Sequence, residues 1–253
     1  MRAGGHNIAG ASVCDDGLVI DLSRMKQIEV DPIKRTARAQ AGLNLGEFDA
    51  ATQAHGLATT MGVNADTGIA GLTLGGGFGK LGRKHGLSCD NVISAEIVTA
   101  EGRLLHISAT EHPDLFWAIR GGGGNFGIVT SFEYRLFPVG PKLLAGSILH
   151  SYDRASEAMR FYQDFASSAP DELSLDAGLA TTPSGERVFS ISCCYVGPIA
   201  EGERILKPLR AYGAPIQDQV APRAYVEIQS AGDAIFPRGR RYYWKAQVST
   251  GAT

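Results

Sequence analysis

Apolar and polar positions alternate along the first 140 residues at two spacings, one strand-like and one helical. Residues 18–22 read as a short strand closed by Ser23, and residues 28–31 as a second that Pro32 ends. Residues 36–42 alternate strictly and read as a third. Leu45, Phe48, Ala51, Thr52 and His55 then recur at helical spacing behind Asn44, with Glu47 three residues after it as in a capping box, and Gly56 stops the helix. Residues 92–99 and 104–107 flank the turn Ala100-Glu101-Gly102 as a hairpin. Residues 114–119 form a short amphipathic helix ended by Gly121, and residues 128–136 one more strand. Pro138, Gly140 and Pro141 mark a domain boundary, with residues 1–140 as a first domain and 141–253 as a second.

Beyond that boundary residues 145–152 and 188–195 read as strands, while 155–165 and 201–212 carry helical spacing, which predicts an α+β layer. Residues 241–248 read as a last strand, whose Tyr242, Tyr243 and Trp244 either pack across strands or line a substrate surface. Both ends read as cut: no strand precedes Arg2 to Gly5 to fix them, and no partner follows the last strand.

Composition narrows the class. The 253 residues are 44% hydrophobic and 20% charged, and 24 Lys plus Arg against 26 Asp plus Glu leave a net charge of -2. This fits a globular protein without a basic stripe, so nucleic acid is not an expected partner. The chain contains no 18-residue apolar run and no signal-like apolar stretch at its start, which argues against a membrane anchor and for the cytoplasm. Four Cys, two adjacent at Cys193 and Cys194, match neither a disulfide scaffold nor a zinc site. His85, His106 and His150 are too scattered for a metal, so none is expected, and His55 and His112 read as structural or solvated.

Glycine is the anomaly, with 23 of 32 before residue 141. Three clusters stand out, at residues 4–10, 68–79 and 121–127. Glycine costs backbone entropy on folding, so such clusters mean either tight turns or backbone laid against something bulky. Successive exposed N–H groups suit a phosphate-rich cofactor. A Rossmann fingerprint on a strand-to-helix turn is missing, and Lys80 lacks the Walker A pattern before it, so nicotinamide and mononucleotide folds give way to a non-Rossmann flavin fold. His6, inside a glycine turn with little to pack on, is either a loop histidine in water or a functional one.

Four ordered motifs carry a resemblance: Arg2-Ala3-Gly4-Gly5-His6-Asn7, residues 67–79 (TGIAGLTLGGGFG), residues 86–91 (GLSCDN) and residues 114–130 (DLFWAIRGGGGNFGIVT). Together they resemble the FAD-linked oxidases of the berberine-bridge-enzyme type, within the vanillyl-alcohol-oxidase superfamily. The resemblance implies an α+β chain, with a PCMH-type FAD-binding domain over residues 1–140 and part of an antiparallel-sheet substrate domain over 141–253. It implies that FAD is held by Arg2, Gly4, Gly5, His6 and Asn7 of the first motif. From the second it implicates Thr67, Gly68, Gly71, Leu74, Gly75, Gly76 and Gly79, and from the last Asn125, Gly127, Ile128 and Val129. His6 matches the histidine that such enzymes join to the flavin. Asn64, in Met61-Gly62-Val63-Asn64, stands where many relatives have a second, cysteinyl link, so a bicovalent flavin is not expected, and Cys89 reads as a packing residue. Ala3 replaces the family's usual serine or glycine.

Such an oxidase passes hydride from an alcohol, sugar or amine-type substrate to covalently bound flavin and then electrons to O2, giving hydrogen peroxide. The family's first strands, its C-terminal Asn-Tyr-x-Asn motif and the segment that supplies its general base have no counterpart here. No base is therefore assigned, and an export signal could belong to the absent N-terminal part. The alternative reading is a truncated, non-catalytic remnant, a structural or binding module that folds by pairing with itself or a partner through open sheet edges.

Overall fold

A computed structural model describes residues 1–233, 239, 241 and 243. The expected strand at 241–248, with Tyr242 and Trp244, lies outside the described residues apart from Arg241 and Tyr243. The described chain is α+β and divides into two compact units: Met1–Gly140 together with residues 226–233, and Pro141–Tyr225.

The first unit is built on β1 (Ile28–Asp31), β2 (Thr36–Gln40), α1 (Leu45–Gln53), β3 (Leu57–Ala58), α2 (Ile69–Leu74), α3 (Gly82–His85), β4 (Val92–Val98), β5 (Leu104–Ser108), α4 (Pro113–Ala118), β6 (Ile128–Arg135) and β7 (Phe137–Pro138). Its main sheet is antiparallel with strand order β1-β2-β6-β4-β5, and β3 pairs with β7. The period-2 pattern of β2 is read out directly. Ala37 and Ala39 are buried in the core, while Arg38 points outward to Glu96 at 2.6 Å. Helix α1 starts where the capping box put it: Asn44 Oδ1 accepts the Glu47 N–H and Glu47 Oε2 accepts the Asn44 N–H, both at 2.8 Å. Its Phe48 meets Tyr134 of β6 edge-on with ring centroids 5.3 Å apart.

Residues 18–22 do not form the expected strand. Asp21 makes only a parallel bridge to Arg2, with the Arg2 N–H donating to Ile20 O and the Leu22 N–H to Arg2 O, both at 2.8 Å. A strand needs a partner of its own length, and here the partner is a single residue before a glycine turn. Helix α2, conversely, forms inside the second glycine cluster, where the pattern predicts no helix. Its Ile69, Ala70, Thr73 and Leu74 are buried, so packing supplies what propensity does not.

The second unit comprises β8 (Lys142–Ser151), α5 (Ala155–Ser167), β9 (Leu173–Thr181), β10 (Arg187–Tyr195), α6 (Ile199–Ala211), β11 (Gln217–Asp218) and β12 (Ala221–Ala224). Its sheet is antiparallel throughout: β9, β10 and β8 lie side by side, and β11 and β12 both pair with the outer edge of β8. Leu144, Ile148, Ile191, Tyr195, Leu206 and Leu209 form its buried core. Strand β9 escapes sequence reading because its outer half is exposed, Leu179 included, and so shows no clean alternation.

Helix α7 (Tyr225–Ser230) begins a segment that packs into the first unit. Asp233 Oδ1 accepts the Ala65 N–H at 2.8 Å, and Gln229 Nε2 donates to Asp49 Oδ2 and Gly62 O. Asp49 is buried in α1, and among the described residues its Oδ1 has no hydrogen-bond partner. Burial pushes its carboxyl up to about 7, against the pull of the Gln229 amide. The folded form therefore binds a proton that the unfolded chain has released. The contribution of Asp49 to stability is fully present below about pH 4 and is lost as pH rises towards 7, by up to about 1.4 kcal/mol per pH unit. Urea titrations between pH 5 and 8 should show that decline, and Asp49→Asn should flatten it; an equal slope in both proteins would rule Asp49 out as its source.

Candidate cofactor site

Three glycine-bearing loops of the first unit surround one cavity of about 750 Å³. That volume lies within the range of small-molecule and cofactor sites. The first loop turns at Gly5, which sits at φ +76° in the left-handed region, and is tied by Asn7, whose Oδ1 accepts the Ala11 N–H at 3.0 Å. Gly4 lies flat on Gly68, the residue that opens α2. A Cβ on Gly4 would be 2.3 Å from Gly68 N, and one on Gly68 would be 2.5 Å from Gly4 N. Neither position has room for any side chain. Contact between two backbones thus fixes the first loop against the second.

Along α2 the cavity is lined by Ala70, Leu72 and Leu74, and by two glycines that leave gaps between them. Gly71 and Gly75, one turn apart, are both exposed there, and a Cβ on Gly71 would meet nothing within 4 Å. The third loop is held to the same helix, because Leu74 O accepts the N–H groups of Gly121 at 3.0 Å and Gly123 at 2.8 Å. Asn125 Nδ2 closes that loop on Gly122 O. Among the described residues, the N–H groups of Gly4, Gly5, His6 and Asn7 donate to no protein acceptor. Four successive unpaired donors beside a cavity await acceptors from elsewhere, as an anion or a polar ring would provide. His6 stands at the cavity with Nε2 2.9 Å from Asp66 Oδ1.

The cavity gathers most of the residues implicated by sequence. Gly4, Gly5, His6 and Asn7 line it, as do Thr67, Gly68, Gly71, Leu74 and Gly75, and Asn125 and Val129. Five others are placed elsewhere. Arg2 reaches away to Asp21 at 3.5 Å. Gly76 is buried in a turn, its carbonyl accepting the Cys89 N–H. Gly79 rests against the Met61 carbonyl, and Gly127, at φ +144°, against Val98 O of β4. Ile128 opens β6 and packs on the core. Asn64 is outside the lining, and Cys89 is buried with its thiol pushed up by burial. Sequence reasoning missed Ser12, Gly123 and Gly124, which line the cavity, and Asp66, which no motif marked.

A family described as a FAD binding domain matches residues 1–108. An FAD-linked oxidoreductase of Dictyostelium discoideum is 35% identical over 243 residues, covering 95% of this chain and 52% of that protein. The crystal structure of 6-hydroxy-D-nicotine oxidase from Arthrobacter nicotinovorans superposes with a TM-score of 0.87 at 32% identity, covering 95% of this chain and 53% of that one. The structure of a berberine-bridge-enzyme-like protein of Arabidopsis thaliana gives 0.80 at 27% identity, covering 94% and 50%. The chain belongs to the FAD-linked oxidases of the berberine-bridge-enzyme type. Its fold is accordingly a PCMH-type FAD-binding domain followed by an antiparallel-sheet substrate domain. The chain spans about half the length of the curated relatives it matches. Among its described residues, no helix is long and apolar enough to cross a membrane.

The residues present fit FAD on two counts: unpaired donors in the first loop for the pyrophosphate or ring oxygens, and open space at Gly71 on the cavity side of α2, where a flat ring can approach the helix. Glycine inside a helix costs about 0.5–1 kcal/mol relative to alanine. Gly71 carries that cost with no protein neighbour to explain it. Gly71→Ala should therefore stabilise the flavin-free chain by about 0.5–1 kcal/mol while weakening flavin binding. Paired urea titrations and flavin titrations of the two proteins measure both halves; flavin binding equal to that of the parent would show that no ligand approaches this face.

Proposed function

We propose that the protein is an FAD-dependent oxidoreductase that oxidises a small molecule with O2 as final acceptor. We further propose that its flavin is held in the glycine-lined cavity and joined covalently to His6. The observation that carries this reading is His6 at the edge of a cavity that Gly4, Gly5, Gly68, Gly71, Gly75, Gly123 and Gly124 line together with small and apolar side chains. Support comes from the relatives: one is named for 6-hydroxy-D-nicotine oxidation, and another is a chitooligosaccharide oxidase. Bound FAD would accept a hydride from substrate and return electrons to oxygen.

The chain's own contribution is binding and orientation. The N–H groups of residues 4–7 neutralise negative oxygens without a lysine, and Gly71 and Gly75 admit the ring close to α2. His6 fixes its position by a single bond. Asn64 at the place of the second attachment leaves His6 as the one tether. The substrate class comprises alcohols, sugars and amines, and residues 141–225 supply the sheet of the substrate domain. Oxygen uptake and peroxide release by the FAD-loaded chain, measured against a panel of secondary amines, oligosaccharides and alcohols, test the reading. Substrate-dependent peroxide is the expected result. Tightly held flavin with no turnover on any class would leave a flavin-holding module and overturn the oxidase reading.

A further inference from the structure

His6 and Asp66 come from different loops, sixty residues apart, and the fold brings His6 Nε2 to 2.9 Å from Asp66 Oδ1. Both side chains are about one-third exposed, so the contact is not enforced by deep burial. A carboxylate is an acceptor only, so at this distance Nε2 carries the proton. The hydrogen bond made by one ring nitrogen decides the state of the other. Among the described residues, His6 Nδ1 has no hydrogen-bond partner. In its neutral form the imidazole, with Nε2–H facing Asp66, offers an unpaired electron pair on Nδ1 at the opposite side of the ring.

We infer that Asp66 is the positioning residue for attachment of the flavin to His6: it holds the proton on Nε2, keeps the Nδ1 electron pair free to form the bond, and takes up the Nε2 proton as the bond forms. The inference rests on the covalent reading of His6 above. The step balances as follows. Nδ1 bonds to the 8α methyl carbon, one methyl C–H bond breaks, and its electron pair passes into the flavin, which is reduced by two electrons. The methyl proton and the Nε2 proton, relayed by Asp66, complete that reduction. O2, the acceptor of the proposed reaction, then removes two electrons and two protons as hydrogen peroxide. Bond formation at Nδ1 leaves the ring as an imidazolium until the Nε2 proton departs, and the Asp66 carboxylate stabilises that cation, as a carboxylate behind a histidine does in other nucleophilic and general-base sites.

The test follows attachment in time. Flavin-free chain is mixed with FAD, and the fraction carrying flavin is read by intact mass under denaturing conditions, while total bound flavin is read by visible absorption before denaturation. Asp66→Asn keeps the shape and an acceptor oxygen but removes the charge and the proton sink. It is expected to slow covalent attachment at least about tenfold, with total bound flavin unchanged within about twofold. Asp66→Glu, which restores a carboxylate, is expected to recover part of the rate, a rescue that a merely structural role would not show. Should Asp66→Asn fail to fold by circular dichroism, Asp66→Ser against Asp66→Glu makes the same comparison.

Attachment by Asp66→Asn at the parent rate would overturn the assignment. So would a folded Asp66→Asn chain that holds no flavin at all, since Asp66 would then belong to the cradle itself. Failure of the underlying reading looks different: the parent chain would acquire no covalent flavin, or would keep it in His6→Ala, and the inference would fall with it.

Discussion

Gly79→Ala is expected to cost the first unit about 3 kcal/mol or more. A Cβ at this position would lie 1.6 Å from Met61 O, 2.8 Å from Met61 C and 3.0 Å from Gly62 O. All three are backbone atoms, and Met61 is fully buried, so no flexible side chain can swing aside. Relief requires moving the segment that leads into the second glycine loop. Overpacking in a core typically costs 1–3 kcal/mol, and rigid backbone puts this site at the upper end or beyond. Gly82→Ala is the matched control, since its Cβ would meet only Thr60 Cγ2 at 3.8 Å, an ordinary contact. It should leave stability within about 1 kcal/mol of the parent. Urea unfolding of both variants without flavin checks the contrast, and two equal losses would mean that the Gly79 contact relaxes freely.

His6→Ala is expected to abolish covalent flavin while leaving the fold intact. His6 is exposed at the rim, and its contact with Asp66 is to a carboxylate about one-third exposed, so its removal should change stability by less than about 1 kcal/mol. Flavin should still enter the cavity, because the unpaired N–H groups and the Gly71 face remain, but it should be lost on denaturation or long dialysis. Covalent flavin retained in this variant would point to another attachment residue.

These two glycine and histidine results separate roles that look alike in sequence. The TGIAGLTLGGGFG stretch spells one motif, yet its glycines answer to three physical demands. Gly68 permits contact with the backbone of Gly4, Gly71 leaves open space at the cavity, and Gly79 fits under the Met61 carbonyl. A single letter carries no mark of which neighbour it faces, so the sequence does not show that Gly79 and Gly127 rest against the backbone carbonyls of Met61 and Val98. Local signals fared better. The Asn44 capping box, the alternation of β2 and the hairpin of β4 and β5 depend on residues close in sequence, and they form where the pattern places them.

Distant pairings were illegible for the same reason. Asp66 meets His6 from sixty residues away, and Gln229 meets Asp49 from 180. Nothing in the spacing of either pair announces contact. Residues 18–22 show the converse, an apolar run with strand-like composition that lacks a partner long enough to make it a strand.

The most direct measurement is the intact mass of the purified 253-residue chain under denaturing conditions, taken together with its visible spectrum and peptide mapping. The account predicts a mass increased by one FAD, a flavin absorption that survives denaturation, and a flavin-bearing peptide that contains His6. An unmodified mass from a folded chain that has been supplied with FAD would contradict it.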